Sequence, residues 1–137
     1  AALQQNKAFN LFGDGAVKRD FTYVGDVVNS IALLANDLAE QPANFHDVVN
    51  VGGGKPCNMI ELISTLETVS EKKLSIEYSS NIPQDVKTTV ADTQRQKMLI
   101  GEIPETSLEE GLRKVWEWII SPDVKNRLDT WTQGGIH

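Results

Sequence analysis

Two short stretches carry most of the chemistry this sequence offers. In the first, Lys18-Arg19-Asp20 follows closely on the glycine turn Gly13-Asp14-Gly15. A planar guanidinium beside such a turn suits bidentate recognition of a diphosphate. Paired with Asp20 or Asp14 instead, the same arginine is part of a surface charge cluster. In the second stretch, Asn50-Val51-Gly52-Gly53-Gly54-Lys55-Pro56, glycines could let backbone N–H groups approach a phosphate. The pattern is not a dinucleotide fingerprint, because Cys57 stands where the third glycine is required. Nor is it a P-loop, since no Gly-Lys-Ser/Thr follows at the right distance. A tight strand-to-helix connection is the plainer reading.

The remaining candidates are weaker. Asp26 falls in the first turn of an expected helix, where a carboxylate serves the free N–H groups and the dipole. Asp85 and Asp92 are separated along a loop, which is no evidence of an acid–base pair, and Asp92 suits a helix cap. His46 reads as a solvated loop histidine. Cys57 has only Lys55 nearby to activate it and reads as structural. Trp116 and Trp118 fall on different faces of the last helix, so at least one is simple packing. From residue types and spacing alone, the chain is an α/β domain that could bind phosphate, with no catalytic constellation.

Composition narrows the classes further. The chain has 137 residues, 40% of them hydrophobic and 23% charged, an ordinary composition for one domain with a core. A net charge of −6 and no long basic run argue against a nucleic-acid partner. No stretch approaches the roughly 18 apolar residues of a membrane helix, and the start does not read as a signal peptide. One cysteine cannot form an internal disulfide, which points to a reducing, cytoplasmic setting. With His46 and His137 the only histidines, a zinc enzyme is nearly excluded. The chain opens Ala1-Ala2-Leu3 without an initiator Met, which fits either Met removal or a fragment.

The elements that must position these groups alternate between short β-like runs and amphipathic helices. The apolar run 8–12 ends at the glycine turn, and 21–24, rich in aromatic and β-branched residues, leads into a helix. In that helix Val24, Val27, Val28, Ile31, Leu34, Ala35 and Leu38 form one apolar stripe, which predicts a helix. Residues 47–51 read as a strand, and Asn58 with Glu61 as a capping box opening a helix through Met59, Leu62, Ile63, Leu66 and Val69. Residues 74–78 alternate like a half-buried strand. Asp92 and Gly101 bracket a short helix, and Ser107 with Glu110 is a second capping box, opening a helix that Pro122 stops. The expected division is one domain over 1–121 and a loosely docked tail over 122–137. Too few strands are present for a complete doubly wound sheet.

The order of these features is more specific than any one of them. Leu11-Phe12-Gly13-Asp14-Gly15, then the run from Arg19-Asp20-Phe21-Thr22-Tyr23-Val24 to Val28, resembles the carboxy-terminal half of NAD-dependent nucleotide-sugar epimerases and dehydratases. These belong to the extended short-chain dehydrogenase/reductase family. The likeness continues through Val49-Asn50-Val51-Gly52-Gly53-Gly54, Glu61-Leu62-Ile63, Asp85-Val86 and Thr89-Val90-Ala91-Asp92. It ends with the stretch from Pro104-Glu105-Thr106-Ser107 to Leu112, so that it spans about 7–120. The branch it looks most like is that of the UDP-glucuronate and UDP-glucose 4-epimerases.

The resemblance implies a carboxy-terminal substrate-binding lobe with a few strands of an incomplete Rossmann sheet. It places the backbone near Asn10 and Phe12 against the base, Arg19 on the diphosphate and Phe21 near the ribose and base. Lys55 would line the nucleotide pocket, and Asp85 would accept hydrogen bonds from ribose hydroxyls. Many relatives carry Arg three residues before the loop aspartate, where this chain has Ile82, and an acidic residue where it has Gly25. The family's catalytic Tyr-x-x-x-Lys is absent: four residues after Tyr23 stands Val27, and four after Tyr78 stands Ile82. NAD is therefore expected mainly outside this chain, in a separate amino-terminal Rossmann half, with a nucleotide-sugar as the substrate partner and none of the catalysis performed by this chain alone. A stand-alone binding or interaction module derived from such an enzyme is the alternative. Strand edges and apolar faces made for a larger sheet predict marginal stability or self-association.

Overall fold

The computed structural model describes residues 2–80, 82, 84–102 and 105–124. Five helices and four short strands follow in the order α1 (Ala2–Gln5), β1 (Phe9–Phe12), β2 (Lys18–Arg19), α2 (Val24–Ala39), β3 (Cys57–Asn58), α3 (Met59–Ser70), β4 (Ile76–Ser79), α4 (Gln94–Ile100) and α5 (Leu108–Ile120). β1 and β4 pair in parallel, Phe9 opposite Ile76 through Phe12 opposite Ser79. β2 and β3 pair antiparallel, Arg19 opposite Cys57. On its other edge β2 meets 87–89: the Lys18 N–H donates to the Lys87 carbonyl at 2.9 Å and the Thr89 N–H to the Lys18 carbonyl at 3.2 Å.

The helix starts follow from local chemistry. The Asn58 side chain accepts the Glu61 N–H at 2.8 Å, and the Ser107 hydroxyl accepts that of Glu110 at 3.2 Å, as the two capping boxes require. Asp92 acts one residue outside its expected place: Thr93 is the residue before α4, and the Asp92 carboxylate accepts from the Gln94 N–H at 3.0 Å. Gly101, at φ +75°, closes α4, and α5 stops before Pro122. Of the tail expected over 122–137, residues 125–137 lie outside the described residues.

Two sequence expectations are corrected. First, 47–51 is not a strand. Among the described residues no backbone pairs with it in a ladder; the Val48 N–H turns to the Asp47 side chain at 2.8 Å, and Val48 is exposed. An extended segment becomes a strand only when another edge takes up its backbone groups. Second, the strand expected at 21–24 lies earlier, at Lys18–Arg19, because the side chains of Asp20 and Thr22 turn to the glycine loop. The expected helix α2 is present, with its apolar stripe largely exposed. Val24, Val28, Ile31 and Leu38 are each more than half exposed. The buried face instead carries Ser30, whose hydroxyl donates to the Asp26 carbonyl at 2.8 Å and accepts from the Gln96 amide of α4 at 3.2 Å.

The core is correspondingly small. Among the described residues only Leu3, Leu11, Cys57 and Ile63 are buried hydrophobic side chains. α3 packs along α5 and touches β3. Trp118 is exposed and Trp116 half-buried, with the Lys72 ammonium 5.6 Å from its ring centre.

Candidate nucleotide site

Parallel strands end together, and the loops leaving their carboxyl ends enclose space that ligands commonly use. Here β1 and β4 end at Phe12 and Ser79. The turn after Phe12 and the loop after β4 bound a hollow of about 550 Å³. Phe12, Val17 and Ile82 supply apolar wall; Asp14, Asp85, Lys18 and Lys87 supply charge. Its size lies within the range of small-molecule sites, and its mixed lining suits a ligand with one flat apolar end and one ionic end.

Arg19 stands at this hollow through Asp85. Its Nη2 donates to Asp85 Oδ1 at 2.7 Å, and its Nη1 donates to the carbonyls of Val86 at 2.8 Å and Lys18 at 2.9 Å. Neither Asp20 nor Asp14 is its partner, so the local charge cluster gives way to a contact across 66 positions of sequence. The parallel run of 87–89 beside β2 is what brings the two together. A guanidinium has five N–H donors, and three are spent in these bonds. The Nε–H and one Nη2–H remain for a ligand, on a group whose orientation is already fixed.

Asp20 and Thr22 explain the glycine loop. The Asp20 carboxylate accepts the N–H groups of Gly54 at 3.0 Å and Ala91 at 3.1 Å, while the Thr22 hydroxyl accepts that of Gly53 at 3.0 Å. A Cβ on Gly52 would stand 2.5 Å from the Ala91 Cβ, so close packing requires glycine there. Amides already engaged cannot cradle a pyrophosphate. The loop is a connection, and the residues present do not form a dinucleotide-binding cradle.

The other expected residues divide between the hollow and its surroundings. Phe12 and Asp85 line it; Asn10, further back on β1, accepts from the Ser79 hydroxyl and does not reach its wall. Phe21 and Lys55 line a second hollow of about 390 Å³ together with Tyr23, Glu105 and Thr106. There Lys55 is ion-paired with Glu105 at 2.7 Å, and that hydrogen bond raises its pKa above the usual lysine value. Asp26, expected to serve the first turn of α2, reaches Thr106 instead. The Arg19–Asp85 contact has no signal in spacing along the chain, because it depends on 87–89 pairing beside β2.

Cys57 is buried, and burial pushes its thiol pKa up, which suits a packing residue rather than a nucleophile. No group of three His, Cys, Asp or Glu side chains is placed to hold a metal among the described residues. No helix among them is long and apolar enough to cross a membrane.

The model of the GDP-mannose 4,6 dehydratase family matches residues 1–115. The chain belongs to this family. It is a family of NAD-dependent nucleotide-sugar epimerases and dehydratases, and the chain has the fold of part of an extended short-chain dehydrogenase/reductase. Over 117 residues it is 35% identical to UDP-glucuronate 4-epimerase of Thermodesulfobacterium geofontis, a match covering 85% of this chain and 34% of that protein. UDP-glucuronic acid 4-epimerase of Bacillus cereus, solved with UDP-glucuronic acid and NAD, superimposes with a TM-score of 0.74 at 29% identity, over 86% of this chain and 37% of the other. UDP-glucose 4-epimerase of Thermotoga maritima, solved with UDP-glucose, gives 0.72 at 29% identity, over 86% and 36%. The chain therefore spans just over a third of the length of the family members it matches.

Proposed function

We propose that this chain binds the nucleotide of a nucleotide-sugar, most simply a UDP-sugar, for an NAD-dependent epimerase or dehydratase. In this reading it is the carboxy-terminal part of such an enzyme, and the hydride is moved by an amino-terminal Rossmann half. The observation that carries the reading is the Arg19–Asp85 pair, whose aspartate lines the hollow beyond β1 and β4. Family membership supports it, as do relatives solved with UDP-sugars and NAD.

Each wall group then has a task suited to its chemistry. The half-exposed Phe12 ring offers a face to the base. The Asp85 oxygen not held by Arg19 accepts from the ribose diol, and Arg19 directs its two unused N–H groups at the diphosphate. Asn10 lies behind the base on β1, while Phe21 and Lys55 border the route from nucleotide to sugar. The exposed stripe of α2 and the unpaired 47–51 segment are the faces that a Rossmann half would cover. Holding the nucleotide fixes where the sugar meets the cofactor, a contribution of positioning rather than bond-making.

Calorimetric titration with UDP, UDP-glucuronate and free glucuronate tests the reading. UDP and the UDP-sugar should bind and free glucuronate should not. Asp85→Asn should weaken uridine and UDP by a similar factor, because the ribose is common to both. A protein that binds none of the nucleotides would overturn the proposal.

A further inference from the structure

Resting on the nucleotide reading above, we infer that Gln84 is a positioning residue whose left-handed backbone carries Asp85 to the wall of the hollow. Gln84 sits at φ +70°, a region that is costly for any residue with a Cβ. Three other non-glycine residues among those described share that region, and each has a local reason. Asn6 and Asn44 are of the type that tolerates it, and Glu71 closes α3, where a left-handed residue is usual. Gln84 is neither an asparagine nor a helix end. Its conformation answers to the path of the chain instead. The Asp85 N–H donates to the Ile82 carbonyl at 3.2 Å, closing a turn over Ile82-Pro83-Gln84-Asp85. Proline second and a positive φ third are the pattern of a type II turn, which favours glycine at the third place.

The turn stands at a corner that the two sheets impose. Behind it, β4 ends at Ser79, whose carbonyl accepts the Gly13 N–H at 2.9 Å. Ahead of it, 87–89 is pinned beside β2 by the Lys18 and Thr89 N–H groups. The residues that link these anchors, 80–86, must change direction between one sheet and the other. Arg19 then holds what the turn delivers, with Nη2 on the Asp85 carboxylate at 2.7 Å and Nη1 on the Val86 carbonyl at 2.8 Å. A disfavoured backbone persists only where its surroundings over-determine it, and these bonds to the two residues after Gln84 supply that restraint. Gln84 and Asp85 both line the hollow. The strain thus sits next to the carboxylate that meets the ribose, and it secures the direction of that carboxylate. The amide of Gln84 is not required; any residue that accepts positive φ serves.

The test compares wild type with Gln84→Gly, Gln84→Asn and Gln84→Val, by titration with uridine and UDP and by the side-chain NMR signals of Arg19. Glycine and asparagine accept positive φ, whereas β-branched valine does not. Gln84→Val should weaken uridine and UDP alike, by roughly tenfold, because Asp85 serves the ribose common to both. Gln84→Gly and Gln84→Asn should bind at least as tightly as wild type. On an Asp85→Asn background the valine effect should vanish, which a general loss of stability would not produce. Without ligand, the Arg19 guanidinium signals should be protected in wild type and Gln84→Gly and exchange freely in Gln84→Val. A glycine variant weakened as much as the valine one would place the effect in the amide and overturn the inference. So would a valine variant that binds like wild type, which leaves the nucleotide reading intact. Wild type that binds no nucleotide overturns that reading, and the Arg19 signals alone then decide whether Gln84 holds Asp85 in place.

Discussion

The carboxylate of Asp26, at the start of α2, holds both the backbone N–H and the hydroxyl of Thr106, each at 2.8 Å and 80 positions away in sequence. One side chain thus joins the first turn of α2 to the residue just before the Ser107 cap of α5. The contact also orders one wall of the hollow that contains Phe21 and Lys55.

Asp26→Ala should therefore cost about 2–3 kcal/mol, since a partly buried amide and a hydroxyl both lose a charged acceptor. Thr106→Val, which keeps the backbone N–H, should cost about half as much. Chemical denaturation of the two variants and their double mutant checks this. The double mutant should be little worse than Asp26→Ala alone, because the two residues share one interaction.

The outward stripe of α2 predicts association. Val24, Val28, Ile31 and Leu38 repeat at helical spacing and together make an exposed apolar surface. Sedimentation should show concentration-dependent self-association of this chain, reduced by Val28→Lys with Ile31→Glu while the far-UV circular dichroism spectrum is retained. A monomer at all concentrations that unfolds cooperatively at high temperature would count against an uncovered face.

The carboxylate of Glu67 gives a pH dependence. Its hydrogen bonds with the Lys73 ammonium, at 2.7 Å, and the Leu74 N–H, at 2.8 Å, hold its pKa below the usual glutamate value of 4.5. A carboxylate lowered in the folded state stabilises fully above its unfolded pKa, and the gain is lost as pH falls through the folded value. The thermal midpoint should therefore drop as pH falls below about 4.5, and Glu67→Gln should flatten part of that slope. Asp47, lowered chiefly by its hydrogen bond with Arg95, acts in the same direction.

What residue spacing disclosed was local, whereas the order of motifs along the chain carried the family and the fold class. The capping boxes at Asn58 and Ser107 act within one turn, so spacing along the chain specifies them. The burial of α2 did not follow from its pattern, because periodicity finds an apolar face and not what covers it. The 47–51 segment failed as a strand for the same reason: its composition suits a sheet, but no neighbouring edge lies among the described residues. At the candidate site, the partner of Arg19 was not legible in the sequence. Asp85 reaches it only because 87–89 runs beside β2, a pairing that no local pattern records.

The central claim is that Arg19 is a phosphate ligand held in place by Asp85, and one measurement bears on it most directly. Binding of UDP and of uridine should be compared between wild type and Arg19→Ala. Loss of one charge-assisted contact of about 1.5–3 kcal/mol should weaken UDP roughly 10- to 150-fold, with uridine hardly affected. Arg19→Lys should recover only part of the loss, because an ammonium cannot hold Asp85 and the Val86 carbonyl while reaching a phosphate. Equal weakening of uridine and UDP would contradict the claim and reduce Arg19 to a prop for Asp85. No change toward either would make the Arg19–Asp85 pair an ordinary surface ion pair.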